Sequence, residues 1–367
     1  MTYTSDVLVI GGGIAGIGAA ARISPEASVT VLEAMNAFGY HSTGRSAAIF
    51  IRNYGNKTLR ALNAVSEPVL LEPEGISDSS LLSPRGEILV ATEAEVDDLK
   101  NYLEGSSGIE TLSADQAVDL VPILRKEKIA AAAYEPKAQD IDVDRLLQGF
   151  ARMMKHNKGQ IVTNAAAQSI TRTGGVWQVE TASGIFEAKI LINAAGAWAD
   201  EVAAMAQVRK VGLVPMRRSA ALLPPPDDHD IMKWPLFASA SEQWYAKPEG
   251  GKLMVSPADE DPVEPHDAFV DDMVLAEGLH RYEQAVRVPV TRVDKSWAGL
   301  RSFVKDRTPV VGYAPEAEGF IWLAGQGGYG IQTAPALSDL VADICLGRSP
   351  VLSLETVAAL SPERFKG

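Results

Sequence analysis

The residues best placed to do chemistry are the glycines Gly11, Gly13 and Gly16 and an acid, Glu33, seventeen residues beyond the last of them. Glycines at this spacing allow a tight turn, let backbone approach a pyrophosphate, and let a helix pack closely on the strand before it. The phosphates of such a ligand rest on the helix N-terminus, around Ile14 and Ala15, where unpaired N–H groups and the positive end of the dipole favour an anion. An acid at the position of Glu33 accepts hydrogen bonds from a ribose and argues against an extra phosphate there. These residues define a dinucleotide site without separating nicotinamide from flavin forms.

Such a site needs strand, turn, helix and second strand, and the sequence supplies them in that order. Val7–Ile10 is apolar throughout, the pattern of a parallel strand buried on both faces. Residues 14–23, rich in Ala and Ile, form the helix, Ser24-Pro25 stops it, and residues 28–32 form a second buried strand ending at Glu33. The segment from Gly39 to Ala48, with Ser42, Thr43, Gly44, Arg45, Ser46 and Ala47, is dense in small residues and hydroxyls. It suits close passage along a bulky planar ligand, and equally a polar loop before a helix.

Further along, helices are expected over 56–72, with Leu59, Leu62, Val65, Val69 and Leu70 as an apolar stripe kinked at Pro68, and over 93–103. Ser113-Ala114-Asp115-Gln116 has capping-box spacing, and residues 143–156 read as a strongly amphipathic helix. Segments 160–163, 167–171, 176–181 and 185–188 alternate as a small antiparallel meander before the buried strand that ends in Ala194-Ala195-Gly196-Ala197-Trp198. Strands around 216–219, 244–246 and 252–255 and a helix over 271–286 fill the stretch to 305. A second strand, glycine loop and helix follow: Phe320 to Ala324, then Gly325 to Gln332, then a helix from Ala334 to Gly347. A helix N-terminus there could face the pyrimidine edge of a flavin, where negative charge develops on reduction.

The fold class expected is α/β, an α+β two-domain chain. A Rossmann-like dinucleotide domain of the glutathione-reductase type is built from 1–55, 140–206 and 306–367. An interleaved substrate domain on an antiparallel sheet takes 56–139 and 207–305.

Composition narrows the function. A net charge of −13 disfavours nucleic acid and anionic membrane surfaces. No apolar stretch reaches the ~18–20 residues that span a bilayer, and the N-terminus lacks the basic region and apolar core of a signal peptide, so a cytoplasmic location is expected. A single cysteine, Cys345, excludes an intrachain disulfide and a cysteine cluster, and the five histidines show no metal-ligand spacing, so no metal is expected. Asp227-Asp228 and Asp259-Glu260-Asp261 read as solvated loop charges.

The strings GGGIAG with Glu33, GYHSTGRSAA, AAGAW, WAGLRSF and GQGGYGIQTAP, in this order and running end to end, resemble the FAD-dependent D-amino-acid oxidase and dehydrogenase superfamily. They look closest to its bacterial D-arginine dehydrogenase branch. The resemblance implies FAD as cofactor, with Ala167, Ala195, Gly196, Gly327, Gly328, Tyr329, Gly330, Ile331 and Gln332 joining the N-terminal residues around it. It implies hydride transfer from a substrate Cα to the flavin N5, giving an imino acid that hydrolyses to a keto acid and ammonia. Arg218 and Arg301 match its carboxylate clamp, Tyr54 and Tyr245 its substrate tyrosines and Glu87 the partner of a cationic side chain, and Gly328 counts with them as an expected catalytic position. Planar donors suit a carboxylate because arginine presents a bidentate fork, although Arg217 beside Arg218 leaves the choice between neighbours open. No strong general base stands out; Tyr54 or an ordered water is the candidate for helping the amine lose its proton.

Two departures qualify the resemblance. Ile49-Phe50 stands where D-arginine dehydrogenases carry His-Tyr, which makes the pocket wall more apolar. Arg45 stands where some relatives carry a flavin-linking histidine, so FAD is expected to bind noncovalently. Basic or hydrophobic D-amino acids are the leading substrates, with oxygen or a quinone-linked acceptor. Secondary amines such as sarcosine, or glycine, are the alternative; a flavin subunit serving a partner protein and a nicotinamide-dependent dehydrogenase are lesser ones.

Overall fold

The computed structural model describes residues 1–226 and 229–365; Asp227-Asp228, expected as loop charge, lies outside the described residues. Val7–Ile10 sits inside a six-stranded sheet ordered Gln160–Val162, Val29–Leu32, Val7–Ile10, Ile190–Asn193, Phe320–Ala324, Val310–Tyr313. The first five strands are parallel and the last is antiparallel to its neighbour. Successive side chains of a strand point to opposite faces, which explains the unbroken apolar run. Val7 and Val9 share one core with the helices Ile14–Ile23, Val143–His156 and Ala334–Leu346. Leu8 and Ile10 share another with Ile170, Trp177 and Val179 of a second sheet and with the helix Ala199–Met205.

That second sheet is ordered Thr2–Thr4, Gly184–Ala188, Val176–Thr181, Ser169–Thr173. Its last three strands are the expected antiparallel meander. The segment 160–163 is not part of it: Gln160–Val162 pairs in parallel with Val29–Leu32. A strand that returns from a crossover helix, here Val143–His156, is the ordinary way to add a parallel strand, and three residues carry too little alternation to reveal it.

The remaining chain builds a nine-stranded sheet. Glu87–Ala91 lies between Leu236–Ser239 and Ala131–Glu135. Val214–Leu223 pairs with Lys295–Phe303, placing Met216 opposite Arg301 and Arg218 opposite Gly299. Because strand side chains alternate with period two, Arg218 and Arg301 therefore share one face as a diagonal pair, and Arg217 points to the other. A three-stranded sheet of Ile49–Phe50, Gln139–Ile141 and Leu82–Pro84 joins the two regions.

The helices follow their local signals. Asn56 caps Lys57–Leu71, which continues through Pro68 and buries Leu59, Leu62 and Leu70. The 93–103 segment divides into a capping box of Thr92 with Glu95 and the helix Val96–Leu103. Ser113 and Gln116 form the expected box, and Ala334–Leu346 ends at Gly347 in the left-handed region, φ 70°. No helix of the described residues is long and apolar enough to cross a membrane.

Candidate functional site

The turn after Val7–Ile10 opens a cavity of about 620 Å³, in the range of ligand pockets. Gly11 has φ +109°, and a Cβ on it would lie 2.3 Å from the Ala194 carbonyl oxygen. A Cβ on Gly16 would lie 2.0 Å from the Gly11 oxygen, which is the close helix-on-strand packing expected there. The Thr43 hydroxyl accepts the Ile14 N–H at 3.1 Å, while Gly13 and Ala15 line the cavity at the helix start. Glu33 is buried, and its two oxygens accept the N–H groups of Gly12 and Met35, both at 2.8 Å. Its carboxylate is thus fixed at the cavity wall with lone pairs to spare for hydroxyls.

The wall continues through Ser42, Arg45, Ser46, Ala47, Ala167, Ala195, Gly196, Gly327, Gly328, Gly330 and Ile331 to Arg218, Tyr245 and Arg301. Gly196 has open space where a side chain would stand. A dinucleotide fits this cradle: small residues at one side, a helix N-terminus for its phosphates, and a fixed acid for its ribose. Ser42 donates to the Leu300 carbonyl at 2.7 Å, and Arg45 donates to the Ala268 and Ala298 carbonyls and pairs with Asp267. The 39–48 segment is therefore pinned across the cavity, and Arg45 serves that pinning with its own side chain.

A smaller chamber of about 110 Å³ adjoins the cavity, and Ser46, Ala47, Arg218, Tyr245, Arg301, Gly328 and Ile331 line both. The Arg301 side chain has no ion pair or hydrogen bond among the described residues, and the residue lines both spaces. Gly328 is what makes room: a Cβ there would lie 2.8 Å from the Arg301 Nη1. Burial alone would lower the Arg301 pKa; Tyr245, Tyr54, Glu242 and Glu260 outweigh it and hold the value above the ordinary one. Arg218 is lowered, by burial first and then by Arg301. Its Nη2 donates to Glu260 at 2.8 Å, and its Nε is buried without a partner. Arg217 is tied elsewhere, 2.7 Å from Asp261 and 3.6 Å from Asp259.

The acidic run 259–261 is thus not a solvated loop. Asp259 is buried and accepts from the N–H and hydroxyl of Ser219, Glu260 holds Arg218 and Arg307, and Asp261 holds Arg217. Three consecutive acids brace three consecutive residues of the arginine-bearing strand, a pairing across about forty residues that local sequence does not signal.

Glu87 and Tyr54 line the small chamber, with Ile49, Ile51, Leu89 and Leu236 as its apolar wall. Glu87 is buried, receives the Tyr102 hydroxyl at 3.3 Å, and is pushed up to about 8, by burial first and then by repulsion from Glu135. Glu135 is itself raised by burial, partly offset by the Asn53 amide at 2.8 Å. Raising the folded value above the unfolded one means that the folded protein binds more protons between the two, so stability falls as pH rises from the unfolded carboxylate range to about 8 and is level above it. Glu87→Gln removes that cost. Thermal unfolding at a series of pH values is expected to show the variant matching the wild type near pH ~4 and gaining steadily up to pH ~8.

Several expected residues stand back from the cavities. Gly16 and Gly44 act in packing and turn, and Ala48 lines only the small chamber. Tyr329 lines neither space: its hydroxyl donates to the Arg307 carbonyl at 2.7 Å and its ring packs edge-on against Tyr54 and Phe303. The Gln332 side chain is committed to the Ile51 N–H and to Asn63 at 2.8 Å, so only the small chamber touches it. The chamber also has Tyr102 and Glu242 in its wall, neither signalled by the sequence, although Glu242 sits at φ 55° in a tight turn. Cys345 is half-buried in the helix Ala334–Leu346, away from both spaces. Among the described residues no cluster could hold a metal.

The same architecture occurs in proteins of known structure. Glycine oxidase from Geobacillus kaustophilus superposes with a TM-score of 0.85 at 22% identity, covering 100% of both chains. L-proline dehydrogenase from P. horikoshii gives 0.84 at 22%, covering 100% of this chain and 99% of that one. In sequence, the Geobacillus kaustophilus glycine oxidase is 24% identical over 363 residues, 94% of this chain and 93% of that protein. Mouse mitochondrial sarcosine dehydrogenase is 28% identical over 231 residues, 58% of this chain and 25% of that protein. These similarities are to glycine oxidases and other flavoenzymes of the superfamily rather than to a D-arginine dehydrogenase. The family described as FAD dependent oxidoreductase matches residues 6–344. That match runs from the first strand of the dinucleotide cavity to the last helix behind it: the chain belongs to the FAD-dependent oxidoreductase family, with FAD as its cofactor.

Proposed function

We propose that the protein oxidises the Cα–N bond of an α-amino acid, with D-amino acids carrying a compact hydrophobic or basic side chain as its substrates. The observation that carries this is Arg301, a cation without a partner at the junction of the two cavities. A carboxylate there meets a planar fork of donors, and the side chain then extends into the chamber between Ile49, Leu89 and Glu87. A basic side chain would find Glu87 as its partner. The D hand rests on the resemblance of the site strings to D-amino-acid enzymes.

The division into a cofactor unit of 1–55, 140–206 and 306–367 and a substrate unit of 56–139 and 207–305 belongs to the same proposal. It is supported by the strands each contributes to the six- and nine-stranded sheets. When bound, FAD supplies the acceptor for the electrons leaving the substrate carbon. The chain's share is to neutralise the carboxylate at Arg301, to orient Cα at the junction, and to exclude water with the apolar wall. Tyr54 is raised above its ordinary value, by burial first and then by Glu242. At neutral pH it carries its proton and is a donor, which favours water over Tyr54 as acceptor of the amine proton. Tyr54→Phe is accordingly expected to lower kcat/KM by roughly tenfold through a lost hydrogen bond and to leave the pH dependence of flavin reduction in place.

The small chamber volume and the similarity to glycine oxidases favour a second reading, oxidation of glycine or of small secondary amines. Ammonia and keto-acid release from D-leucine, D-arginine and glycine, and methylamine release from sarcosine, with an artificial electron acceptor, separates the two. The leading reading predicts the D-amino acids as the better substrates, and turnover of glycine or sarcosine alone would replace it.

A further inference from the structure

Glu260 lines neither cavity, yet it holds the arginine that does. Of the arginines in the cavity walls, Arg45 pairs with Asp267, Arg218 pairs with Glu260 at 2.8 Å, and Arg301 has no ion pair among the described residues. Glu260 is held in turn by Arg307, whose Nη1 and Nη2 donate to it at 3.1 and 2.9 Å. Arg307 is itself fixed, its guanidinium 3.8 Å from the Phe303 ring centroid. The carboxylate of Glu260 therefore pairs with Arg218 from outside both cavities, taking its Nη2. Of the two arginines on this face, Arg218 thus already has an acid partner, which it shares with Arg307, and Arg301 is the one without an ion pair among the described residues. A second carboxylate brought into the substrate space would compete with Glu260 for Arg218 or go unpaired, and an unpaired charge away from water is costly.

We propose that Glu260 is a specificity-determining positioning residue: by neutralising Arg218 it restricts the site to ligands with one carboxylate, anchored on Arg301, and excludes dicarboxylates. The proposal rests on the reading of Arg301 as carboxylate anchor. Removing Glu260 frees Arg218 and gives the site two open cations on one face of the sheet. Malonate in solution, or D-aspartate and iminodiacetate as substrates, then meets two forks instead of one.

The test uses the FAD-loaded protein and reads binding from the flavin absorbance on titration with acetate and with malonate. The wild type is expected to bind acetate and to bind malonate no better. Glu260→Gln is expected to tighten malonate by roughly tenfold or more, the value of one charged hydrogen bond, with acetate changed by less than about threefold. In turnover, the same variant is expected to lower KM for D-aspartate or iminodiacetate by more than it changes KM for D-leucine. Equal tightening of both anions, no tightening, or tight malonate binding by the wild type would overturn the proposal. Arg218→Gln in the Glu260→Gln background is expected to abolish the malonate gain, and a surviving gain would overturn it too.

Should Glu260→Gln fail to load FAD, Arg218→Gln alone decides. Acetate binding kept within about tenfold of wild type, with malonate still excluded, supports the division of roles; a loss of acetate as large as that of an Arg301 variant refutes it. Wild-type flavin that binds acetate but is reduced by no amino acid would remove the proposed function while leaving the role of Glu260 standing. Reduction by D-amino acids without a malonate gain in the variant would remove only the role of Glu260.

Discussion

Arg301→Gln is expected to lower kcat/KM for amino-acid substrates by roughly a thousandfold, chiefly through KM, while the protein still folds and holds FAD. The side chain makes no ion pair or hydrogen bond among the described residues, so its removal breaks none inside the fold. What it leaves unpaired is the carboxylate of the substrate, and an uncompensated charge in a cavity costs several kcal/mol, on the order of the thousandfold loss. Arg301→Lys is expected to recover only part of the loss, since an ammonium gives a point charge instead of a planar fork. Steady-state kinetics alongside flavin content checks both. An equal loss of bound flavin would show that Arg301 supports the cofactor loop at Gly328 and not the substrate.

Gly11→Ala is expected to act on the fold itself. The residue combines φ +109° with a hypothetical Cβ 2.3 Å from the backbone oxygen of Ala194, and a backbone neighbour cannot swing aside as a side-chain tip can. The left-handed conformation and the clash together should cost about 3 kcal/mol or more and displace the strand end from the helix start that cradles the phosphates. Thermal unfolding and flavin retention after gel filtration should both fall. A neighbouring comparison is informative: Gly174→Ala, in a hairpin turn where a Cβ meets nothing within 4 Å, carries only the strain of φ +61° and should leave flavin content unchanged.

What could be read from the sequence was what local chemistry dictates. The strand–glycine–helix–strand entry, the helix expected over 56–72, and the Gly347 stop are written in adjacent residues, and the structure has each of them. Long-range pairing was not legible. Gln160–Val162 resembles a meander strand until the parallel partner Val29–Leu32 is known. Asp259, Glu260 and Asp261 look like surface acids until the register of Val214–Leu223 brings Arg217, Arg218 and Ser219 against them. The same register settles which neighbouring arginine faces the cavities, since period-two alternation puts Arg218 and Arg301 on one face. Tyr329 and Gln332 carried cofactor signals by their place in a glycine loop, but their side chains turn to Arg307 and Asn63. Backbone around them lines the cavity; those two side chains hold the loop in shape.

The most direct test is anaerobic mixing of the purified, FAD-loaded protein with D-leucine, D-arginine, L-leucine, glycine and sarcosine in separate runs, following loss of the flavin absorbance band. Fast bleaching by the D-amino acids, abolished in Arg301→Gln and slow or absent with the L-amino acid, is the predicted result. Bleaching by none of these amines, or bleaching that Arg301→Gln leaves untouched, would contradict the account of a carboxylate-anchored amino-acid oxidation.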